Sequence, residues 1–87
     1  MNRLDVLRLA GEAVTGREVS YGKPEDNFAL VAKLWSAFLG IEVRPEWVGS
    51  MLAMLKLARA KGNPMHVDSW IDVAGYAAVG AEVAGAE

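Results

Sequence analysis

The stretch KLARAKGNPMHVDSWIDVAGY, residues 56–76, contains the clearest signals for the fold of this chain. Its beginning closes one apolar-periodic segment, an Asn-Pro turn follows, and a second periodic segment starts after the turn. Lys56 and Arg59 are three residues apart and Asp68 and Asp72 are four apart, so each pair shares one face of a helix. The stretch therefore predicts two helices joined by a turn, with a cationic pair on the first facing a carboxylate row on the second.

This arrangement has two interpretations. The charged side chains can form a structural ion-pair network across the helical hairpin, which is the commoner outcome for Lys56 and Arg59, and Asp68 also suits a helix N-cap. They can instead form a site for a phosphate-bearing ligand, with or without a metal ion. In that site Tyr76, four residues beyond Asp72, extends the row. For Asp72, inside an apolar helix, the two interpretations are evenly balanced.

Apolar periodicity and helix-end signals elsewhere predict an all-α fold, a compact bundle of three to four helices in a single domain, residues 1–87. The first helix is capped by Asn2, runs to about Thr15 and ends at Gly16, and residues 17–23 form a loop. The expected bounds of the other helices are Pro24 to Gly40, Pro45 to Gly62, and a last helix that begins at Asn63 or Asp68. The expected core stripes are Phe28, Val31, Trp35 and Phe38, then Trp47, Met51 and Leu55.

Composition limits the classes of protein to which the chain can belong. With 53% apolar residues in 87, one small bundle cannot bury all its apolar surface, so we expect a homo-oligomer. The bare Ala/Gly face around Gly75 and Gly80 in the last helix is the expected place of close contact. The net charge of -2 and the absence of a basic run argue against nucleic-acid binding.

The same composition predicts a location for the protein. The chain has no cysteine, no apolar segment suited to a membrane span, and charges within its N-terminal apolar pattern that do not fit a signal peptide. We therefore expect a cytoplasmic protein that does not interact with membranes.

A second group of candidate binding residues precedes the predicted second helix. Arg17, Tyr21, Lys23 and Asn27 lie in or next to the expected loop, where cationic side chains and the N–H groups of a helix N-terminus would suit an anionic group. The alternative is an ordinary connecting loop. The single histidine, His66, could act as a base or a metal ligand, but beside a proline turn an exposed and inert histidine is commoner.

Two motifs carry a resemblance to a known group of proteins. Residues 17–28, REVSYGKPEDNF, and residues 68–77, DSWIDVAGYA, resemble a family of short, all-helical proteins of unknown function from bacteriophages and prophages, especially those of actinobacteria. The resemblance covers essentially the whole chain.

More remotely, the pattern is similar to the all-α nucleoside triphosphate pyrophosphohydrolases of the MazG type. That resemblance implies an oligomer and Mg²⁺ held by carboxylates of two neighbouring helices, with Asp68 and Asp72 as its ligands here. The chain departs from the MazG pattern because the first acidic motif, Glu-Glu-x2-Glu, is absent. Lys56 and Arg59 stand in its place, and cations there would suit nucleotide phosphates without a metal.

Three functional hypotheses follow. The first is a phage-type protein that binds an anionic nucleotide at or near a subunit interface, without turnover and without a cofactor; one version would sequester a nucleotide signal of host defence. The expected binding residues are Arg17, Tyr21, Lys23, Asn27, Lys56, Arg59, Asp72 and Tyr76. The second is a Mg²⁺-dependent pyrophosphohydrolase with Asp68 and Asp72 as metal ligands. The third is a helical interaction protein with no small ligand.

Overall fold

Local signals at the helix ends divide the chain into four α-helices. The computed structural model describes residues 1–87 as α1 (Arg3–Tyr21), α2 (Pro24–Leu39), α3 (Pro45–Gly62) and α4 (Val67–Ala84). Asn2 and Asp5 form a reciprocal capping box at the start of α1. Pro24 and Pro45 occupy the first turns of their helices, and Gly40 ends α2 in the left-handed conformation. The predicted all-α bundle is confirmed.

The first helix is longer than the sequence predicted. Gly16 does not end it; the helix continues through Arg17 to Tyr21, and the glycine with positive φ that terminates it is Gly22, at φ 83°. The expected loop was therefore wrong for residues 17–21 and correct for residues 22–23, because a glycine inside a helix costs only about 1 kcal/mol and need not stop it. Only residues 22 and 23 separate α1 from α2.

The start of the fourth helix also differs from expectation. The chain leaves α3 at Asn63, whose backbone N–H donates to the carbonyl of Arg59, so Asn63 is the C-cap of α3 and not the start of α4. His66 is the N-cap residue of α4 and makes no side-chain capping bond. Asp68 consequently lies within the first turn and is not the N-cap. A carboxylate there is still favourable beside the positive end of the helix dipole.

The helix α4 is the centre of the packing. It contacts α3 along most of its length, receives α1 on another side, and meets α2 more lightly, while α2 also packs on α3. The main core contains Phe28, Ala32, Val43 and Val48, with Val48 completely buried. Val43 belongs to the short link between α2 and α3, and its N–H donates to the Ser36 hydroxyl over 2.8 Å, which fixes the link to α2.

Two predicted core stripes are only partly correct. Phe28 is buried and Val31 and Trp35 pack beside it, but Phe38 is 87% exposed. On α3 the face carrying Trp47, Met51 and Leu55 was expected inside and lies outside. The reason is that α3 has apolar residues on both faces, and Val48, Gly49 and Leu52 provide the face that enters the core.

Three helical glycines, Gly49, Gly75 and Gly80, lie where helices of the chain contact one another. A Cβ on Gly49 would lie 3.1 Å from Gly80 Cα and 3.1 Å from the Tyr76 carbonyl oxygen, so these glycines let α3 and α4 approach closely. A Cβ on Gly75 would lie 3.3 Å from Val14 Cγ1 on α1. The close contact expected at Gly75 and Gly80 is therefore observed, and the helices that make it, α1 and α3, belong to the same chain.

Much apolar surface remains outside this core. Only 10 of the 87 residues are buried, and the accessible surface is 6206 Å². Exposed apolar side chains occur on α1, α2 and α3. None of the helices combines the length with the hydropathy that a membrane span requires.

Candidate functional site

Two cavities lie on either side of Asp72 on α4. The larger has a volume of about 290 Å³ and lies between the C-terminal half of α1, the start of α2 and the middle of α4. Its wall is mainly apolar, with polar groups from Arg17, Glu18, Tyr21 and Asn27; we call it the apolar cavity. The smaller, of about 190 Å³, has no hydrophobic residue in its wall and is called the polar cavity. Asp72 contributes to both walls.

Arg17 and Tyr76 meet at the wall of the apolar cavity. The Arg17 guanidinium donates to the Tyr76 hydroxyl over 3.3 Å, and its central carbon lies 5.6 Å from the centre of the Tyr76 ring. Arg17 has no carboxylate within salt-bridge distance. This geometry follows from the extension of α1 beyond Gly16, because a helical Arg17 lies over α4. The guanidinium keeps donors that an anion or a heteroaromatic ring can use.

Asn27 has a structural task at the same cavity. Its side-chain nitrogen donates to the Tyr21 carbonyl oxygen over 2.8 Å, and thereby satisfies an end carbonyl of α1. The second cap is the Gly22 N–H, which donates to the Glu18 carbonyl. Asn27 can therefore offer a ligand its side-chain oxygen and one remaining N–H, but its orientation is set by the helix end.

Lys56 and Asp72 form an ion pair between α3 and α4. Lys56 Nζ lies 2.8 Å from Asp72 Oδ2, and the two side chains are only 17% and 27% exposed. For this pair the structural ion-pair interpretation is observed, in agreement with the commoner outcome expected for a hairpin. Lys56 retains two further N–H donors, and both residues line the polar cavity.

The remaining charged groups of the polar cavity are not paired in the same way. Arg59 has no carboxylate within 4.0 Å, and Asp68 has only His66 nearby, at 4.0 Å between Nε2 and Oδ2. Asn63 and Ser69 complete the wall. The cavity thus presents Lys56 and Arg59 as cations with hydrogen-bonding neighbours, which suits a phosphate group more than an apolar one.

The predicted site residues are divided between the two cavities. Five of them line the apolar cavity: Arg17, Tyr21, Asn27, Asp72 and Tyr76. The polar cavity is lined by Lys56, Arg59 and Asp68, and also by Asp72. Lys23 lines neither cavity. Its backbone carbonyl oxygen accepts hydrogen bonds from the N–H groups of Asp26 and Asn27 at the start of α2. Both cavities are formed by one chain.

The sequence did not assign to a site the apolar residues that line the larger cavity, nor Asn63 and Ser69 of the smaller one. Phe28 and Val31 were predicted as core, while Leu52, Ile71 and Val79 were not assigned to a site; all five line the apolar cavity. A core residue and a cavity-lining residue have the same apolar pattern, so no signal in the sequence separates them. His66 lines the polar cavity, although its side chain is 59% exposed.

The donor set does not fit a magnesium cage. No group of three or more His, Asp or Glu side chains is gathered anywhere in the structure, and Asp72 already holds the Lys56 ammonium. A cation at that carboxylate would have to displace Lys56, and Mg²⁺ is usually bound through one or two free carboxylates together with substrate phosphates. Asp68 is left as the one largely exposed carboxylate of the polar cavity.

Comparison with known proteins identifies related sequences. Residues 5–84 match a family described as a domain of unknown function, DUF6378. The Gene 55 protein of Mycobacterium phage L5 is 40% identical over 78 residues, which are 87% of this chain and 50% of the phage protein. The Gene 55 protein of Mycobacterium phage D29 is 41% identical over 73 residues, 83% of this chain and 48% of that protein.

These matches confirm the predicted resemblance to phage proteins of unknown function. The chain spans about half the length of the curated relatives that it matches. No solved structure matches it. The remoter likeness to the MazG type stays a prediction.

Proposed function

The chain belongs to the DUF6378 family, and for this member we propose the binding of an anionic nucleotide without turnover. The observation that carries the proposal is the position of Asp72, shared between an aromatic-lined apolar cavity and a cation-lined polar cavity. A nucleotide has the same two parts, a flat apolar base and a charged phosphate, joined by a sugar rich in hydroxyl groups.

The base is assigned to the apolar cavity. Its volume of about 290 Å³ is just below the range of roughly 300–1,000 Å³ for small-molecule sites, which suits a ligand part as small as a base. Phe28 and Ile71 provide apolar contact, and the Tyr76 ring is available for packing beside the base. Arg17, already over the Tyr76 ring, would cover the base with its planar guanidinium.

The phosphate is assigned to the polar cavity. Arg59 has no protein carboxylate as a partner, and Lys56 uses one N–H on Asp72, so both can donate to phosphate oxygens. Asp72, between the cavities, is placed to accept a hydrogen bond from a sugar hydroxyl or a base N–H. Its ion pair with Lys56 keeps this carboxylate from acting as a free base or metal ligand, which favours binding over hydrolysis.

Stoichiometric binding without turnover would suit the removal of a nucleotide signal of host defence, because a binder present in excess lowers the free concentration of its ligand. This proposed role requires that the nucleotide site described above binds the signal.

Isothermal titration calorimetry with nucleosides and their phosphates, with and without Mg²⁺, tests the proposal. We expect a nucleotide to bind more tightly than its nucleoside, and to be recovered chemically intact when the complex is denatured. If no nucleoside or nucleotide binds at millimolar concentration, the proposal fails and the protein is an interaction module. If pyrophosphate is released with Mg²⁺ and the release is lost in Asp72→Asn, the pyrophosphohydrolase hypothesis is correct instead.

A further inference from the structure

The helix α3 is apolar on both sides, although only one side is covered. Val48, Gly49 and Leu52 face the core and the close crossing with α4. On the other side Trp47, Met51, Met54 and Leu55 are each between 38% and 59% exposed. An apolar stripe on a helix normally packs against another element. The outer side of α3 therefore lacks a partner within the chain.

The spacing of that outer side is the spacing of a helix–helix seam. Trp47, Met51, Met54 and Ala58 follow one another at intervals of four, three and four residues, and Leu55 lies beside them. This is the interval of core positions in coiled coils, where side chains of one helix insert between those of another. We call these five residues the α3 seam.

The amount of exposed surface indicates how large the missing contact is. A folded monomer of 9.3 kDa is expected to expose about 5,000 Å². This chain exposes 6206 Å², an excess of roughly 1,200 Å². A standard protein interface buries about 800 Å² on each partner. The excess, to which exposed apolar side chains on α1 and α2 contribute as well as the outer side of α3, is therefore large enough for one subunit interface.

We propose that the α3 seam is the contact surface of a homodimer, with two α3 helices packed antiparallel about a two-fold axis. A two-fold axis places the same patch on itself, so the patch must be self-complementary. The α3 seam carries no charge that would meet its own copy. The dimer leaves both cavities free because none of the five seam residues lines either cavity, and the proposal does not depend on nucleotide binding.

The expected subunit contact therefore moves from α4 to α3. The Ala/Gly face of α4 is used at Gly75 and Gly80 for contacts with α1 and α3 of the same chain. The side chains misassigned to the core on α3 are the ones that remain to be covered by a second copy.

Sedimentation velocity on the full chain at micromolar concentration is the first test. We expect a mass of twice 9.3 kDa. Met54→Glu and Trp47→Glu should each weaken association by at least roughly 100-fold, since two like charges, one from each copy, would be buried unpaired in the seam, while far-ultraviolet circular dichroism stays unchanged. Leu7→Glu, a matched change at a 61% exposed apolar residue on α1, should leave the dimer intact.

Cross-linking keeps the proposal testable if a charged variant fails to fold. The chain has no cysteine, so Met54→Cys introduces a single thiol near the middle of the seam and Leu7→Cys introduces one outside it. A short bis-maleimide should link Met54→Cys to its twin and leave Leu7→Cys unlinked. A wild-type mass of 9.3 kDa would leave the seam to another protein and overturn the proposal, as would dissociation by Leu7→Glu with both seam variants still dimeric.

Discussion

Lys56 Nζ lies 2.8 Å from Asp72 Oδ2, and this contact joins α3 to α4 at the wall that the two cavities share. Both side chains are shielded from water over most of their surface. A residue pair in this position contributes to stability and to the site together, so a loss of ligand binding in a variant of either residue has two possible causes. Stability therefore has to be measured first for any substitution here.

Removal of one member of the pair should destabilise the fold. Lys56→Met leaves the Asp72 carboxylate without its cation, and Asp72→Asn weakens a charged hydrogen bond, so we expect losses of about 1–3 kcal/mol in each case. Urea unfolding at equal chain concentration measures this, because dimerisation would make stability concentration-dependent.

Arg8→Ala is the matched control for that prediction. The Arg8–Glu12 ion pair has side chains 60% and 63% exposed, so its loss should cost less than about 1 kcal/mol. The double variant Lys56→Met with Asp72→Leu should regain much of the loss, because no charge is left unpaired. Equal small effects for Lys56→Met and Arg8→Ala would show that the shielded pair has no special role.

Gly49→Ala should destabilise the protein by about 1–3 kcal/mol. The added methyl would lie 3.1 Å from Gly80 Cα and from a backbone oxygen, neither of which can move away without separating α3 from α4. Gly11→Ala is the contrasting variant, since nothing lies within 4 Å of its Cβ position. It should stabilise the chain by about 0.5–1 kcal/mol through helix propensity. Thermal unfolding should show a lower melting temperature for Gly49→Ala and a higher one for Gly11→Ala. Shifts of the same sign would contradict the close contact between α3 and α4 at Gly49.

Ser36→Ala should loosen the link between α2 and α3. The Ser36 hydroxyl accepts the N–H of Val43, which is buried, and donates to the Ala32 carbonyl. Without the hydroxyl the Val43 N–H has no partner, at a cost of about 1–3 kcal/mol. Ser50→Ala, at an exposed position on α3, should change the free energy of unfolding by less than about 0.5 kcal/mol. A similar free energy for both variants would mean that the link is held by other contacts.

Helix ends were predictable where a single local signal decides them. Pro24, Gly40 and Pro45 have backbone properties that fit only a helix boundary, and the structure places boundaries there. Gly16 and Gly22 show the limit of this reasoning. Each can terminate α1, and the choice depends on how α1 docks along α4, which one sequence does not reveal.

The core side of a helix is not predictable when both sides are apolar. On α3 the stripe beginning at Trp47 and the one beginning at Val48 have equivalent periodicity. The stripe with the larger side chains, Trp47, Met51 and Leu55, was predicted to be buried and is exposed. The site was predictable in part because Asp72 and Tyr76 are four residues apart on one helix. Its division into two cavities follows from tertiary packing, which puts Arg17 next to Tyr76 at 59 residues' separation.

Arg17→Ala should weaken the binding of nucleoside and nucleotide to the same extent. The guanidinium lies over the Tyr76 ring at the apolar cavity, where the base is assigned, and loss of such a contact typically costs about 1–2 kcal/mol, or roughly five- to thirtyfold in affinity. The fold should be unaffected since Arg17 is exposed. Lys23→Ala removes a cation that lines neither cavity, and calorimetry should show unchanged binding. If Lys23→Ala weakens binding as much as Arg17→Ala, the ligand lies at the α1–α2 connection and not in the apolar cavity.

Arg59→Ala should weaken binding of the nucleotide and leave binding of its nucleoside unchanged. Arg59 lines only the polar cavity and has no carboxylate partner. Its removal therefore takes away a hydrogen-bond donor to the phosphate without leaving a protein charge unpaired. A charged hydrogen bond is worth about 1.5–3 kcal/mol, which corresponds to roughly ten- to a hundredfold in affinity. Arg59 is a cleaner probe than Lys56, because substitution of Lys56 also disturbs the ion pair with Asp72.

Titrations of one nucleoside and its monophosphate into wild type, Arg59→Ala and Arg59→Lys test whether Arg59 contacts the phosphate. The lysine variant should retain part of the preference for the phosphorylated ligand. Equal loss for both ligands would mean that Arg59 acts on the shape of the site, and an unchanged phosphate preference would remove the polar cavity from the nucleotide site.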